Sequence, residues 1–163
     1  MPVTADPVRK RTTFEIPTVT TERPRLRAFQ ASDLDAYAAM QANPEVMRFL
    51  VDGRTHTRVE VWRIMAGSLG HWLLRGYGMW ACEKVDGGNF AGSIGIFQPL
   101  DWPEPELAYA LDQPFWGQGF ATEAVKGGTR LAVRAFSVGS PCELHSARQS
   151  RVDPHCTTAR RGL

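Results

Sequence analysis

The chain has little cysteine. Cys82, Cys142 and Cys156 are odd in number and scattered over 163 residues, so no disulfide scaffold is expected and a reducing cytoplasm is the expected compartment. Long apolar runs are absent as well. None approaches the roughly 20 residues of a membrane helix, and the N-terminus lacks the apolar centre of a secretory signal. Neither sign of charge dominates: 19 basic against 17 acidic residues leave a net charge of +2, which directs the chain to neither nucleic acid nor a membrane. There is no internal repeat, and no Gly-Lys-Ser/Thr of the kind that ends a nucleoside-triphosphate P-loop. What is present, 43% hydrophobic and 22% charged residues, is the composition of an ordinary globular domain. The length predicts one such domain.

Residues 1–19 are rich in Pro, Thr and charge and read as a flexible lead-in. Thr20 to Phe29 reads as an edge strand with Pro24 near its start. Ser32, with Asp35 three residues on, predicts a helix start whose apolar face carries Leu34, Tyr37 and Ala38. Asn43-Pro44-Glu45 predicts a second, short helix with Val46, Phe49 and Leu50 turned inward. Thr57-Arg58-Val59-Glu60 is a capping box opening a long helix, in which Trp62, Met65, Leu69, Trp72 and Leu73 recur at helical spacing. Gly76 should end it in a left-handed cap. Met79 to Val85 and Phe90 to Phe97, joined by Asp86-Gly87-Gly88-Asn89, predict a hairpin. A rigid Trp102-Pro103-Glu104-Pro105 loop then leads to a strand from Glu106 to Leu111.

The richest stretch follows that strand. After a turn at Asp112–Pro114 come Trp116-Gly117-Gln118-Gly119-Phe120-Ala121-Thr122-Glu123 and a helix. Glycines here let main chain approach a ligand closely, and the helix start aims unpaired N–H groups and a positive dipole end at the same loop. Glu106, at the head of the preceding strand, is a candidate base. Glu123 reads as dipole compensation. The helix sets Ala121, Ala124, Val125, Gly128, Ala132 and Ala135 on an inner face and Lys126, Arg130 and Arg134 on the outer one. Gly127-Gly128 should weaken it by about 1 kcal/mol each relative to alanine. Beyond Phe136 the pattern fades, with at most a short strand around Glu143–Ser146. Cys142-x-x-His145 with His155-Cys156 makes a poor zinc site because adjacent ligands strain to reach one tetrahedral ion, so no metal is expected. The tail arginines read as solvated charges.

The order strand, helix pair, hairpin, strand, glycine loop, helix resembles the GCN5-related N-acetyltransferase (GNAT) superfamily, in its branch with the ribosomal-protein N-terminal acetyltransferases. The resemblance is carried by Thr21-Glu22-Arg23-Pro24-Arg25-Leu26-Arg27, Gly70-His71-Trp72, Gly76-Tyr77-Gly78-Met79-Trp80-Ala81, Gly92-Ser93-Ile94-Gly95 and, above all, Trp116 to Ala124. That last segment matches the family's Gln/Arg-x-x-Gly-x-Gly/Ala signature, with Trp116 in the first place. The resemblance implies an α/β (α+β) fold: a mixed, mostly antiparallel central sheet flanked by helices, with residues 20–136 as the acetyltransferase domain. It implies acetyl-CoA as co-substrate. Main-chain groups of Trp116, Gly117, Gln118, Gly119, Phe120, Ala121 and Thr122 would hold the diphosphate. The strand at Tyr109, Ala110 and Leu111 would pair with the pantetheine arm. Tyr109 would either face that arm or fill the sheet, and a main-chain N–H there would stabilise an oxyanion. Glu106 aligns with the family's general base, acting on a primary amine of a small molecule or a protein N-terminus. His71, Trp80 and Trp102 are candidates for the acceptor pocket, with core packing as the alternative for each. The family continues with further strands and a helix, a module that 137–163 does not resemble. The second reading is therefore a catalytically impaired remnant that binds CoA or a partner through an open sheet edge, which leaves room for a homodimer.

Overall fold

A computed structural model describes residues 14–50, 53–100 and 102–137. In chain order the strands are β1 (Val19–Thr20), β2 (Pro24–Arg27), β3 (Met79–Lys84), β4 (Phe90–Phe97) and β5 (Glu106–Leu111). The helices are α1 (Leu34–Gln41), α2 (Pro44–Met47), α3 (Arg58–Arg75) and α4 (Phe120–Ser137). The five strands form one sheet in the order β1-β2-β3-β4-β5. Every pairing among the described residues is antiparallel.

Alternation along the strands divides the core in two. On one face Leu26, Trp80, Cys82, Ile94 and Leu111 pack with Phe120 and Ala124 of α4. On the other, Ala81 packs with Phe29 and with Leu34, Tyr37, Met40, Val61 and Met65 of α1 and α3, and Ala110 joins this side from β5. The small inner face expected of α4 allows its close approach. A β-carbon at Gly128 would stand 3.2 Å from Leu26, and one at Gly127 2.6 Å from Thr21. The glycines that weaken an isolated helix thus seat this one on β1 and β2.

Several expectations hold. Thr57 and Glu60 form the predicted capping box, Asn43 caps α2, and Gly76 closes α3 at φ 77°. Others need correction. Thr20–Phe29 is not one edge strand. Thr21 turns the chain through its N–H and hydroxyl onto the Pro24 carbonyl, and β2 lies inside the sheet between β1 and β3. Proline is tolerated there because it is the first residue of the strand. The first helical turn begins earlier than a Ser32 cap would place it. Asp33, not Asp35, accepts the Gln30 N–H at 2.7 Å, and its carboxylate also takes both Arg27 amino groups at 2.8 Å. Phe49 does not turn inward but stays 47% exposed, its ring edge-on to Trp116.

The buried stripe of α3 is Val61, Met65, Ser68 and Trp72. Trp62, Leu69 and Leu73 face outward. Ser68 is small and returns its hydroxyl to the Ile64 carbonyl at 2.9 Å. The helix therefore closes on the sheet along that line rather than along the bulkier one. The predicted strand at Val85 ends at Lys84, after a register slip between Cys82 and Glu83.

Candidate functional site

β5 carries the candidate site along its outer edge. Among the described residues it pairs only with β4. The Asp112 N–H donates to the Ala91 carbonyl at 2.9 Å, one step beyond the Gly92–Leu111 pair. By the alternation of an antiparallel ladder, the peptide groups of Glu106, Ala108 and Ala110 then point at β4, and those of Leu107, Tyr109 and Leu111 point away from it. The Leu111 carbonyl takes the Trp116 indole N–H at 2.6 Å. Among the described residues, the Leu111 N–H and both peptide groups of Tyr109 have no partner at the edge. Ala110 offers no outward main-chain group. The Tyr109 side chain fills no core position and is 48% exposed.

Beyond β5 the chain turns through Gln113–Phe115, with Asp112 Oδ1 accepting the Gln113 N–H. Gly117 and Gly119 follow at φ 70° and 76°, a left-handed backbone that side chains disfavour. A β-carbon at Gly117 would meet nothing within 4 Å, so that side of the loop is open. The first intrahelical bond of α4 runs from the Glu123 N–H to the Gly119 carbonyl. Within the described residues, the main-chain N–H groups from Gly117 through Thr122 donate to no protein acceptor. Convergent unpaired N–H groups at a helix start suit a phosphate-bearing ligand.

Residues from other parts of the fold also hold this segment. The Asn43 amide donates to Gln113 Oε1 at 2.8 Å, joining the α1–α2 corner to the turn. Arg23 reaches from the β1–β2 turn. Its Nε donates to Glu123 Oε2 at 2.7 Å, its main-chain N–H to Glu123 Oε1 at 2.9 Å, and its Nη1 to the Gln118 carbonyl at 2.7 Å. The guanidinium also lies 5.3 Å from the centre of the Phe120 ring. Partial burial pushes the Glu123 carboxyl upward, but the Arg23 main-chain N–H and guanidinium, with the Thr21 hydroxyl, outweigh it and hold it below its ordinary value. Nothing in the spacing of Arg23 and Glu123 announced this pair. The signal available was an arginine in the N-terminal part of the resemblance with no assigned role.

Glu106 stands opposite Phe97 at the head of β5, exposed, its carboxylate without an ion-pair or hydrogen-bond partner among the described residues. His71 and Trp102 gather on Phe97, their rings 5.8 and 5.9 Å from it, so Glu106, His71 and Trp102 share one neighbourhood. His71 Nδ1 meets the Tyr77 carbonyl at 2.7 Å and Nε2 the Gln98 carbonyl at 3.3 Å, which fixes the ring against main chain. Gln98 is a hub that sequence reasoning missed: its side-chain oxygen accepts from Tyr77 Oη at 2.6 Å and Arg75 Nη1 at 3.0 Å. Trp80 is not brought to this neighbourhood. It lies in the core on the α4 side, ring against Trp72 at 4.7 Å and indole N–H on the Pro17 carbonyl. Cys142, His145, His155 and Cys156 lie outside the described residues. Among the described residues no helix is long and apolar enough to cross a membrane.

An antiparallel sheet whose last described strand runs through a glycine loop into a helix is an arrangement that known acetyltransferases share. The family model of the acetyltransferase (GNAT) domain matches residues 23–152. The chain belongs to that family and is an acyltransferase. Among solved structures, an acetyltransferase from Agrobacterium tumefaciens strain C58 is 29% identical, with a TM-score of 0.62 over 81% of this chain and 72% of that one. Two more distant likenesses show the fold. An acetyltransferase from Salmonella typhimurium that modifies the N-terminal serine of ribosomal protein L7/L12 is 19% identical, with a TM-score of 0.59 over 72% of this chain and 69% of that one. RimL, a ribosomal L7/L12 α-N-protein acetyltransferase in complex with coenzyme A, is 18% identical, with a TM-score of 0.55 over 74% and 68%.

Proposed function

We propose that this protein moves an acetyl group from acetyl-CoA to a primary amine, of a small molecule or a protein N-terminus, by direct attack. The observation that carries the reading is the run of unclaimed N–H groups from Gly117 to Thr122 beside the outward-facing peptide groups of Tyr109 and Leu111. A diphosphate needs several convergent donors, and the loop and helix start offer them. A pantetheine arm carries amides that can extend a sheet, and the β5 edge offers Tyr109 and Leu111 for that pairing. Acetyl-CoA supplies the activated thioester; the amine nitrogen forms the amide bond, the carbon–sulfur bond breaks, and CoA leaves as its thiolate, which takes up a proton to give the thiol. Glu106, exposed at the head of the same strand and with its carboxylate unpaired among the described residues, accepts the proton that the amine must lose, directly or through water. An edge N–H of Tyr109 or Leu111 donates to the oxygen on which charge develops. His71 and Trp102 border the acceptor side of Glu106.

The proposed domain runs from residue 20 to 136 and works in the cytoplasm. One observation favours a second reading, that of a partner- or CoA-binding remnant. Leu107 and Tyr109 are both well exposed along a strand edge that is unpaired among the described residues, the kind of edge that recruits another chain. Calorimetry with acetyl-CoA, combined with a thiol-release assay over a panel of amines, decides. Micromolar binding with turnover supports the transferase. Binding without turnover on any amine supports the remnant. Absence of CoA binding by well-folded protein overturns both the transferase and the CoA-binding remnant. Gly119→Val, placed at positive φ, should abolish the binding.

A further inference from the structure

We propose that Arg23 is a positioning residue for CoA: it draws the Glu123 carboxylate away from the start of α4 and fixes the glycine loop, so that the N–H groups there stay free for a diphosphate. This rests on the reading of the glycine loop given above.

The two long helices of the protein treat the same problem in opposite ways. Each has a glutamate in its first turn. In α3, Glu60 folds back and accepts the Thr57 N–H at 2.8 Å, while Thr57 Oγ1 takes the Glu60 N–H. At that helix start the glutamate is held by its own capping box, which takes up the Thr57 and Glu60 N–H groups. In α4, Glu123 does not fold back. Both of its oxygens are taken by Arg23, one by the main-chain N–H and one by Nε, and the N–H groups ahead of it are left without acceptors. A first-turn carboxylate is drawn to exposed helix-start N–H groups by the same dipole that draws a phosphate. Unrestrained, Glu123 would compete with the ligand for those donors and repel it. Arg23 removes both effects. Its Nη1 bond to the Gln118 carbonyl meanwhile turns that oxygen toward a cation and fixes the peptide between the two left-handed glycines. The side chain remains 44% exposed, so its contribution lies in orienting groups more than in burying charge.

The test uses CoA and pantetheine, which share the arm but not the diphosphate. Affinities are measured by calorimetry, and melting temperatures are recorded alongside. Arg23→Ala should weaken CoA binding roughly tenfold or more while pantetheine binding stays as in the wild type. Adding Glu123→Gln to Arg23→Ala should recover at least about threefold of the lost CoA affinity, because the carboxylate, then held only by the main-chain N–H of residue 23 and the Thr21 hydroxyl, is gone. A role limited to holding the fold would lower both affinities together, and the second substitution would make matters worse; that result overturns the proposal. So does Arg23→Ala binding CoA as tightly as wild type. If Arg23→Ala fails to fold, Arg23→Lys keeps the charge toward Glu123 but loses the fork to Gln118. It should show the same selective loss, smaller in size, and wild-type CoA affinity in that variant overturns the proposal. Failure of the underlying reading looks different: Gly119→Val would then bind CoA normally too, whereas normal binding by Arg23→Ala beside lost binding by Gly119→Val removes only the role of Arg23.

Discussion

The indole N–H of Trp116 donates to the carbonyl of Leu111 at 2.6 Å, and this bond closes the corner between the sheet edge and the glycine loop. Leu111 directs that carbonyl away from β4, so without Trp116 it would be an unpaired edge group. The corner angle sets where the N–H groups of the loop lie relative to those of Tyr109. Trp116→Phe keeps most of the ring and removes the donor. A neutral hydrogen bond contributes about 0.5–1.5 kcal/mol net, so CoA affinity should fall roughly three- to tenfold. Calorimetry that shows no change would mean that the corner holds its geometry by packing on Phe49 alone.

Glu106→Gln removes a proton acceptor and keeps the shape at the head of β5. Turnover should drop on the order of 10²–10⁴-fold, with CoA affinity unchanged, because Glu106 lies outside the glycine loop. Equal losses in turnover and CoA affinity would count against the role of base.

The start of α3 should titrate. Backbone bonding from Thr57, with help from Arg54 and the Thr57 hydroxyl, holds the Glu60 carboxyl down from 4.5 to about 2. A carboxyl depressed in the folded state stabilises fully above its unfolded value. That stabilisation is lost as pH falls from about 4.5 toward about 2. Glu60→Gln should flatten the acid limb of the melting curve in that window. At neutral pH, Thr57→Ala should cost about 0.5–2 kcal/mol through the lost cap, read by urea denaturation.

The two tryptophans of α3 should behave in opposite ways. Trp72 is 3% exposed and Trp62 58%. Trp72→Ala should cost about 3–5 kcal/mol, and its indole bond to the Met79 carbonyl goes with it. Trp62→Ala should stay within about 0.5 kcal/mol of wild type. Equal losses in denaturant melts would contradict the helix orientation.

Cys82 should be inert in the native protein. Burial, with Glu83 beside it, pushes its thiol up to about 12, and the thiolate is the reactive form. Iodoacetamide labelling followed by peptide mapping should leave the Cys82 peptide unmodified until denaturant is added. Rapid native labelling would show that β2 and β3 open more readily than the packing indicates.

Local chemistry was legible where one short segment contains the whole cause. Thr57 and Glu60 sit three residues apart and cap one turn; Gly76 by itself supplies a left-handed φ; Gly117 and Gly119 announce a close-approach loop. The stripe of α3 was not legible, because Trp62-Leu69-Leu73 and Val61-Met65-Ser68-Trp72 are both helical repeats. The choice depends on which line lets the helix approach the sheet. Tail residues 138–163 lie outside the described residues, although the family match continues to residue 152.

The sequence by itself determined the element order, the caps of α2 and α3 and the glycine loop, since each depends on residues within a turn of one another, where bond geometry and local hydrogen bonds decide. Only the tertiary structure decided which face of α3 is buried, which peptide groups of β5 point outward, and that Arg23 meets Glu123. Those relations join residues far apart along the chain. Strand register and helix docking bring them together, and no local spacing encodes either one.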